Sequence, residues 1–388
     1  MSAEQDRWIG RGEALGRLGV KAQTLYAYVS RGRIAARPDP DDPRRSLYAA
    51  SDIARLSGQG DAGDEPPRAA APSAAGRGEA ELYSSVSVVA GDRLLYRGLD
   101  ATQLAETATF EDAARVLWRA RAANPFSGLR PRVGATPGGS ARSRLYAALA
   151  RRAEEEPVPA SGDAEALRTE CARVLDEAVD AVAGPGPRLF LHQRLARAWK
   201  IPERDAHLVR RALVLAADPG FDAAVLAARA AAAGGACPAA AALAGVAVVA
   251  ASGPVAEMTR AAGWIVAVRR QAHDAARRAR EAGDLAGFGD PDWPGGDPRA
   301  AALLAAADLP PDLARALREG EAAAGGPPGF ALALAIVARR LELPREGAAD
   351  LLMIGRLAGL LAHALDQTID GSPIRARLRY VGPEPGAH

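Results

Sequence analysis

Few side chains in this chain of 388 residues have the chemistry of a nucleophile or a metal ligand. Cys171 and Cys237 are too few for a disulfide framework or a thiolate metal site, so we expect two core residues in a reducing compartment. Four of the five histidines fall in predicted helices: His192, His207, His273 and His363. Of these, His363 is the one that could contact a functional site. Because no recognised ligand spacing is present, we predict neither a metal site nor a resident cofactor.

A second group of side chains, near the N-terminus, has the chemistry of nucleic-acid recognition. Its members are Lys21, Gln23, Tyr28, Arg31, Arg33, Arg44 and Arg45. An apolar helical face at 14–18 ends at Gly19, a second helix begins at Thr24, and a turn rich in Pro and Asp separates two short strands. A helix, a turn and a second helix can place the second helix in the DNA major groove, with the strands as a wing. This pattern resembles the winged helix-turn-helix of the MerR/excisionase type. Contact with DNA and a docking role both stay open.

The elements that would position these groups form two bodies. Residues 57–80 contain no aromatic, β-branched or Leu residue and cannot bury enough surface to fold. We therefore predict a disordered linker at 57–80 between a winged helix-turn-helix domain at 1–56 and a larger domain at 81–388.

Charge and hydropathy exclude several classes of protein. The chain has 49 basic and 47 acidic side chains, so its net charge of +2 excludes a polybasic surface over the whole molecule. The most apolar stretch, 236–255, is rich in Ala and interrupted by Gly and Pro, which argues against a membrane span. Glu4, Asp6 and Glu13 argue against a secretion signal. We expect a cytoplasmic protein.

The larger domain has the pattern of an all-α body. Stretches rich in Ala, Leu and Arg predict helices at 103–121, 164–183, 204–217, 222–233, 263–282, 330–341 and 347–367. Asp205 and Asp222 are candidate N-caps of two of these helices. A short hairpin is predicted at 85–96, around Gly91 and Asp92.

Four landmarks in the larger domain occur in a recognisable order. They are the hairpin and the residues after it at 85–118, the segments 213–229 and 253–254, the Gly- and Pro-rich segment 287–300, and the C-terminal run 330–383. This order resembles the citrate synthase family, and in particular bacterial members with an N-terminal helix-turn-helix head. The resemblance implies a large helical domain with a smaller one inserted at about 257–328, an obligate dimer, and an active site in the cleft between the domains. It implies an acyl-CoA, such as acetyl-CoA, as the substrate that is condensed with oxaloacetate.

The resemblance also shows where this chain lacks the chemical groups of the family. The His that holds the thioester enolate corresponds to Ala256, and a second His corresponds to Asp290. The catalytic Asp corresponds to Gly329, and a further substrate-binding His corresponds to Pro219. Ala256 and Gly329 can neither accept a proton nor hold a charge, so ordinary citrate synthesis is not expected.

The anion-binding part of the resemblance is retained. Arg299, Arg356 and Arg375 match the arginines that bind the dicarboxylate, and in the family Arg375 would reach into the site of the neighbouring subunit. Asp290 could repel a dianion there, or could pair with Arg299 or Arg356. Four acids near the motifs could cluster around a metal, although their spacing matches no recognised site: Asp222, Glu257, Asp290 and Asp292.

Three functional hypotheses follow. The first is a degenerate homologue without condensing activity, acting as a carboxylate-binding module or as a subunit that pairs with an active homologue. The second is a transcriptional regulator that binds DNA and senses a di- or tricarboxylate or an acyl-CoA. The third is an active citrate or 2-methylcitrate synthase-type acyltransferase with a rearranged site.

Overall fold

The computed structural model describes residues 8–20, 22–30, 34–39, 42, 45–50, 52–53, 82–130, 136–155, 163–184, 186–270, 274–371 and 374. The chain divides into two units, Met1–Ala75 and Gly76–His388. The predicted linker at 57–80 lies outside the described residues, and the predicted domain boundaries stay predictions.

The first unit is a small sheet with two helices. Its elements are β1 (Trp8–Gly10), α1 (Arg11–Leu18), α2 (Ala22–Ser30), β2 (Ala36–Pro38) and β3 (Ser46–Ala49). The strands are antiparallel in the order β1-β3-β2, so the two predicted wing strands pair as β2 and β3. Gly19 ends α1 in the left-handed conformation with φ 64°, as the sequence predicted. Ile9, Leu25 and Tyr48 lie in the core of this unit.

The second unit begins with a three-stranded sheet and continues as a helical body. The sheet has the order β4 (Ser87–Ala90), β5 (Arg93–Tyr96) and β6 (Leu99–Asp100), so the predicted hairpin is confirmed. The helices are α3 (Ala101–Thr107), α4 (Phe110–Leu117), α5 (Ala141–Glu155), α6 (Ala164–Ala183), α7 (Leu191–Ala198), α8 (Ala206–Ala216), α9 (Ala223–Ala233), α10 (Pro238–Ala250), α11 (Gly253–Arg269), α12 (Ala275–Glu281), α13 (Pro298–Ala305), α14 (Pro311–Ala324), α15 (Phe330–Arg340) and α16 (Gly347–Asp370). A 3-10 turn at Glu203–Asp205 precedes α8. The all-α prediction for the body is confirmed.

Two predicted helices were wrong in their limits. The helix predicted at 103–121 is divided into α3 and α4, because the Thr109 side chain and the Asp112 carboxylate form a capping box that starts a new helix. The helix predicted at 263–282 is divided into α11 and α12, with Asp274 at φ 59° before the second. Asp205 makes no capping bond, since its carboxylate accepts a hydrogen bond from Arg340 instead.

Helix α16 is the central helix of the body. It contacts α8, α9 and α10, and nearly all of its residues are buried. Its length and mean hydropathy of 1.5 would also suit a membrane span, and α10 with α11 passes the same test only as a pair bent by 42°. Because 94% of the apolar window of α16 is buried inside the fold, we interpret it as a core helix.

A close approach of α16 to the end of α8 fixes the position of several polar side chains. A Cβ on Gly355 would lie 2.6 Å from the Cβ of Ala216, and a Cβ on Gly359 would collide with Asp218 and the Ala217 carbonyl. Gly359 instead donates its backbone N–H to that carbonyl at 3.1 Å. The absence of both side chains lets α16 bring Arg356 and His363 against Asp218.

A second, smaller hydrophobic cluster lies apart from the main core. Helices α11, α12, α14 and α15 contribute to it, with Trp264, Leu313 and Leu332 among its buried members. The inserted domain predicted at about 257–328 overlaps this cluster and stays a prediction.

Candidate functional site

The candidate site is built around Asp218, which is fully buried just after α8. His363 and Arg356 lie two turns apart on the same face of α16, and both point to this carboxylate. The Nε2 atom of His363 is 3.1 Å from Asp218 Oδ2, and Arg356 Nη1 is 4.0 Å from the same oxygen. A carboxylate, an imidazole and a guanidinium therefore meet in the interior.

Hydrogen bonds from the small sheet and the following loop hold Asp218 in place. Its Oδ1 accepts from the Ser87 hydroxyl at 2.5 Å and from the Gly220 backbone N–H at 2.9 Å. Although burial alone would raise the pKa of Asp218, His363, Arg356 and Ser87 together hold it below its usual range. We conclude that Asp218 is ionised in the folded protein.

Tyr96, on β5, contacts the backbone of Asp218 and the end of α8. Its hydroxyl accepts from the Asp218 backbone N–H at 3.2 Å and contacts the carbonyls of Val214 and Leu215 at 3.1 and 3.2 Å. Complete burial, with a contribution from the Asp218 charge, raises the pKa of Tyr96, so the phenol stays neutral and orders the end of α8.

Arg356 is held by a second carboxylate. Its Nη2 donates to both oxygens of Asp222, at 2.9 and 2.8 Å, while Asp222 Oδ1 also caps α9 by accepting from the Val225 N–H. The Arg356 side chain is 3% exposed and that of Asp222 is 42% exposed. Within the described part of the chain Arg356 Nη1 makes no hydrogen bond, since Asp218 Oδ2 lies 4.0 Å away.

Arg299, at the start of α13, is paired locally. Its guanidinium bonds both oxygens of Asp297, the N-cap of the same helix, and lies over the Phe330 ring with 4.7 Å to the ring centroid. Burial disfavours the charged form, but Asp297 outweighs this effect and raises the pKa of Arg299 above its usual range, with Tyr96 and Asp290 adding to the rise.

From the sequence, Asp290 was a candidate ion-pair partner of Arg299 or Arg356. In the structure it pairs with neither arginine. The carboxylate of Asp290 accepts from the Asp292 backbone N–H at 2.9 Å. Asp297 and Asp222 occupy Arg299 and Arg356 instead, because each is an N-cap residue whose helix start already places it beside the guanidinium.

Four positions at which the sequence resemblance places catalytic or substrate-binding side chains carry other residues here. They lie in two paired loops, on α11 and directly after Asp218. Gly329 donates its N–H to Gly287 O at 2.8 Å, and Gly289 donates to Pro327 O at 2.9 Å, so the loop that carries Asp290 runs along the start of α15. Ala256 is exposed in the first turn of α11. Pro219 directly follows Asp218.

One further acid comes close to this loop. Burial raises the pKa of the half-buried Glu257 above its usual range, and the Asp290 charge adds to that rise. Asp290 thus lies within electrostatic reach of both Glu257 and Arg299. Among the described residues, no group of three or more His, Cys, Asp or Glu side chains is arranged to hold a metal ion.

Several candidates from the sequence lie outside the described residues. They are Arg375 in the body and Lys21, Arg31, Arg33 and Arg44 in the head; Gln23 is described only by its backbone in α2. Tyr28 is half-buried and packs against the core of the head. Arg45 is exposed and lies 3.3 Å from the Asp42 carboxylate. DNA contact by these residues stays a prediction.

Comparison with known proteins gives a consistent result. The family described as citrate synthase, C-terminal domain, matches residues 141–377. The fold is similar to citrate synthase from Thermotoga maritima MSB8 (19% identity, TM-score 0.61, 79% of this chain and 95% of that one) and from Pyrobaculum aerophilum (17%, 0.62, 79% and 92%). It is also similar to the ternary complex of carboxymethyl coenzyme A and oxaloacetate with citrate synthase from Thermoplasma acidophilum (16%, 0.59, 79% and 95%). No curated protein sequence matches the chain.

Proposed function

The chain belongs to the citrate synthase family, and from that premise we propose that it is a carboxylate-responsive member that does not condense an acyl-CoA with oxaloacetate. The observation that carries this proposal is the start of α15. Gly329, at the position of the family's catalytic Asp, offers only a backbone N–H, and Gly287 O already accepts it. No base stands there to remove a proton from the acyl-CoA methyl group.

The size of the missing contributions supports the absence of turnover. A positioned acid or base contributes roughly 10²–10⁴-fold in rate. Ala256 removes the imidazole that would hold the enolate, and Asp290 replaces a neutral or cationic imidazole by a carboxylate. A carboxylate near a developing enolate repels it, so Asp290 is not a substitute.

The anion site itself is retained but internally occupied. Asp222 and Asp218 both carry negative charge next to Arg356, and Asp297 neutralises Arg299. A ligand carboxylate would therefore have to displace the half-exposed Asp222 from Arg356 Nη2 before it could bind. We infer that the site responds to a di- or tricarboxylate weakly and reversibly, with Asp222 as the competing group.

Two measurements on the full chain test this function. Thiol release from acetyl-CoA or propionyl-CoA in the presence of oxaloacetate is expected to equal the rate without protein. Calorimetric titration with oxaloacetate or citrate is expected to give saturable binding that Arg356→Ala abolishes. Turnover would overturn the proposal, and so would binding that is insensitive to Arg356→Ala. A matched control is Arg340→Ala, which removes a guanidinium that bonds Asp205 instead.

The partner-subunit and DNA-binding hypotheses depend on residues outside the described part of the chain, Arg375 above all, and stay predictions. Co-purification with an active homologue, with and without Arg375→Ala, tests the first. Salt-sensitive, sequence-selective binding to DNA tests the second.

A further inference from the structure

A cavity of about 660 Å³ lies between α11, α15 and the start of α16. Its walls are aliphatic and include Val255, Met258 and Val266 from α11, Leu343, and Met353 from α16. No residue of the candidate site around Asp218 lines it. This volume falls within the range of roughly 300–1,000 Å³ that small-molecule sites occupy.

Three arginines stand at this cavity: Arg142, Arg339 and Arg345. None of their guanidinium groups makes a hydrogen bond or an ion pair within the described part of the chain, unlike Arg299 and Arg356. One acid, Glu346, also lines the cavity, so the lining carries an excess of positive charge. Unpaired guanidinium groups around a concave surface favour an anion.

A buried carboxylate next to the cavity also has to be counted in the charge balance of its lining. Asp350 is 4% exposed, its Oδ1 makes no hydrogen bond, and it lies within electrostatic reach of Glu346 and Arg142. Because burial raises the pKa of Asp350 to about 7, this carboxylate offsets at most one positive charge near neutral pH, and the three arginines still outnumber Asp350 and Glu346.

We propose that this cavity binds a small amphipathic anion, an aliphatic chain with a carboxylate or phosphate head. The chain would lie on the Val, Leu and Met walls, and the head would meet the three arginines. Among the described residues no aromatic side chain lines the cavity, so they offer no stacking surface for a nucleobase. The proposal is independent of the function proposed above, because the two sites share no residue.

Gly263 allows the cavity to be filled without a clash. It lines the cavity on α11, and a Cβ added there meets no atom within 4 Å. Gly263→Leu should therefore occupy the space for the aliphatic chain, and Gly263→Ala is the matched control. The double variant Arg339→Ala/Arg345→Ala removes two of the head-group partners. Arg277→Ala is the control, since it removes an exposed guanidinium that is paired with Asp274 and Glu281.

The test is calorimetric titration of the full chain with dodecanoate below its micelle concentration, with dodecyl phosphate, dodecanol and inorganic phosphate as parallel probes. We expect saturable binding of dodecanoate or dodecyl phosphate, whichever head the arginines prefer. Both Gly263→Leu and the double arginine variant should weaken it roughly tenfold or more, and the two controls should leave it unchanged.

Three results would overturn the proposal. They are no saturable binding of either anionic probe, an affinity unchanged by Gly263→Leu or by the double variant, and equal affinity for dodecanol. Circular dichroism and thermal unfolding of each variant establish that a loss of binding is not a loss of fold. Oxaloacetate binding should persist in Gly263→Leu, which separates this test from that of the proposed function.

Discussion

The carboxylate of Asp222 lies 2.8 Å from Arg356 Nη2 and occupies the guanidinium that a ligand carboxylate would need. The same carboxylate caps α9 through the Val225 N–H, so it is held in place by two partners. Arg356 itself is almost fully buried, and its Nη2 is bonded to the more exposed Asp222. The guanidinium at the centre of the proposed anion site is therefore already paired with a residue of the chain itself.

Replacing Asp222 should open this site. Asp222→Asn removes the negative charge next to Arg356 but keeps a good N-cap, so the fold should be retained. We expect the affinity for oxaloacetate or citrate to rise roughly tenfold or more, measured by calorimetric titration. Asp292→Asn, an exposed acid in the loop after Asp290, is the control and should leave the affinity unchanged. An unchanged or lower affinity in Asp222→Asn would contradict competition by Asp222.

The buried Asp218 should be essential for stability. Asp218→Asn leaves Arg356 and His363 without their shared carboxylate in the interior, and breaking a buried ion pair costs about 3–5 kcal/mol. The free energy of unfolding from urea titration should fall by about that amount, with Asp292→Asn as the exposed control. A loss below about 1 kcal/mol would mean that the cluster is not a structural ion pair.

Restoring the two imidazoles and the carboxylate that the family resemblance places in the site should restore condensation of acetyl-CoA with oxaloacetate. In the triple variant Ala256→His/Asp290→His/Gly329→Asp, the first change is at an exposed position. A Cβ at Gly329 would meet only Gly287 O, at 3.4 Å, and φ is −83° there. We expect thiol release from acetyl-CoA and oxaloacetate to rise roughly 10²-fold over the unmodified chain. The same variant with Gly329→Ala is the control for the base. Equal rates in the two would show that the start of α15 is not where the base is needed.

Asp350 should make stability depend on pH. Burial, with a contribution from Glu346, raises its pKa from 3.8 to about 7 in the folded protein. Between about pH 4 and pH 7 the folded chain holds a proton that the unfolded chain releases, so this group lowers stability as the pH rises. Asp350→Asn removes the effect. Its stability relative to the unmodified chain should therefore increase by roughly 2–3 kcal/mol from about pH 5 to about pH 8. Urea unfolding at both pH values measures it, and a difference that does not change with pH would contradict the assignment.

The architecture could be predicted from the sequence to a large extent. The Ala- and Leu-rich periodicity predicted the helical body, and the hairpin before it is present as β4 and β5. The break between α3 and α4 was missed because no Gly or Pro marks it. A reciprocal pair of hydrogen bonds between Thr109 and Asp112 starts the second helix there. The only sequence signal of this capping box is the spacing of three residues between the Thr and the Asp.

The site was predictable only in part. The sequence named Arg299 and Arg356 as candidate anion-binding residues, and that role stays a prediction. The Asp297–Arg299 pair could have been predicted, since an Asp before a Pro is a typical helix start. The bond from Arg356 to Asp222 crosses 134 residues of sequence, so only the packing of α16 against α8 and α9 reveals it. Asp218, Ser87 and Tyr96 were missed for the same reason. Their importance comes from complete burial, which no local pattern predicts.

The most direct test of the central claim is exchange of the acetyl-CoA methyl protons with deuterated solvent, followed by NMR in the presence of oxaloacetate and the full chain. This measurement reports proton removal even where no product forms. Because Gly329 and Ala256 supply neither base nor enolate partner, exchange should proceed at the rate of the protein-free sample. Exchange above that rate, lost in Glu257→Gln, would contradict the account and assign the base to Glu257.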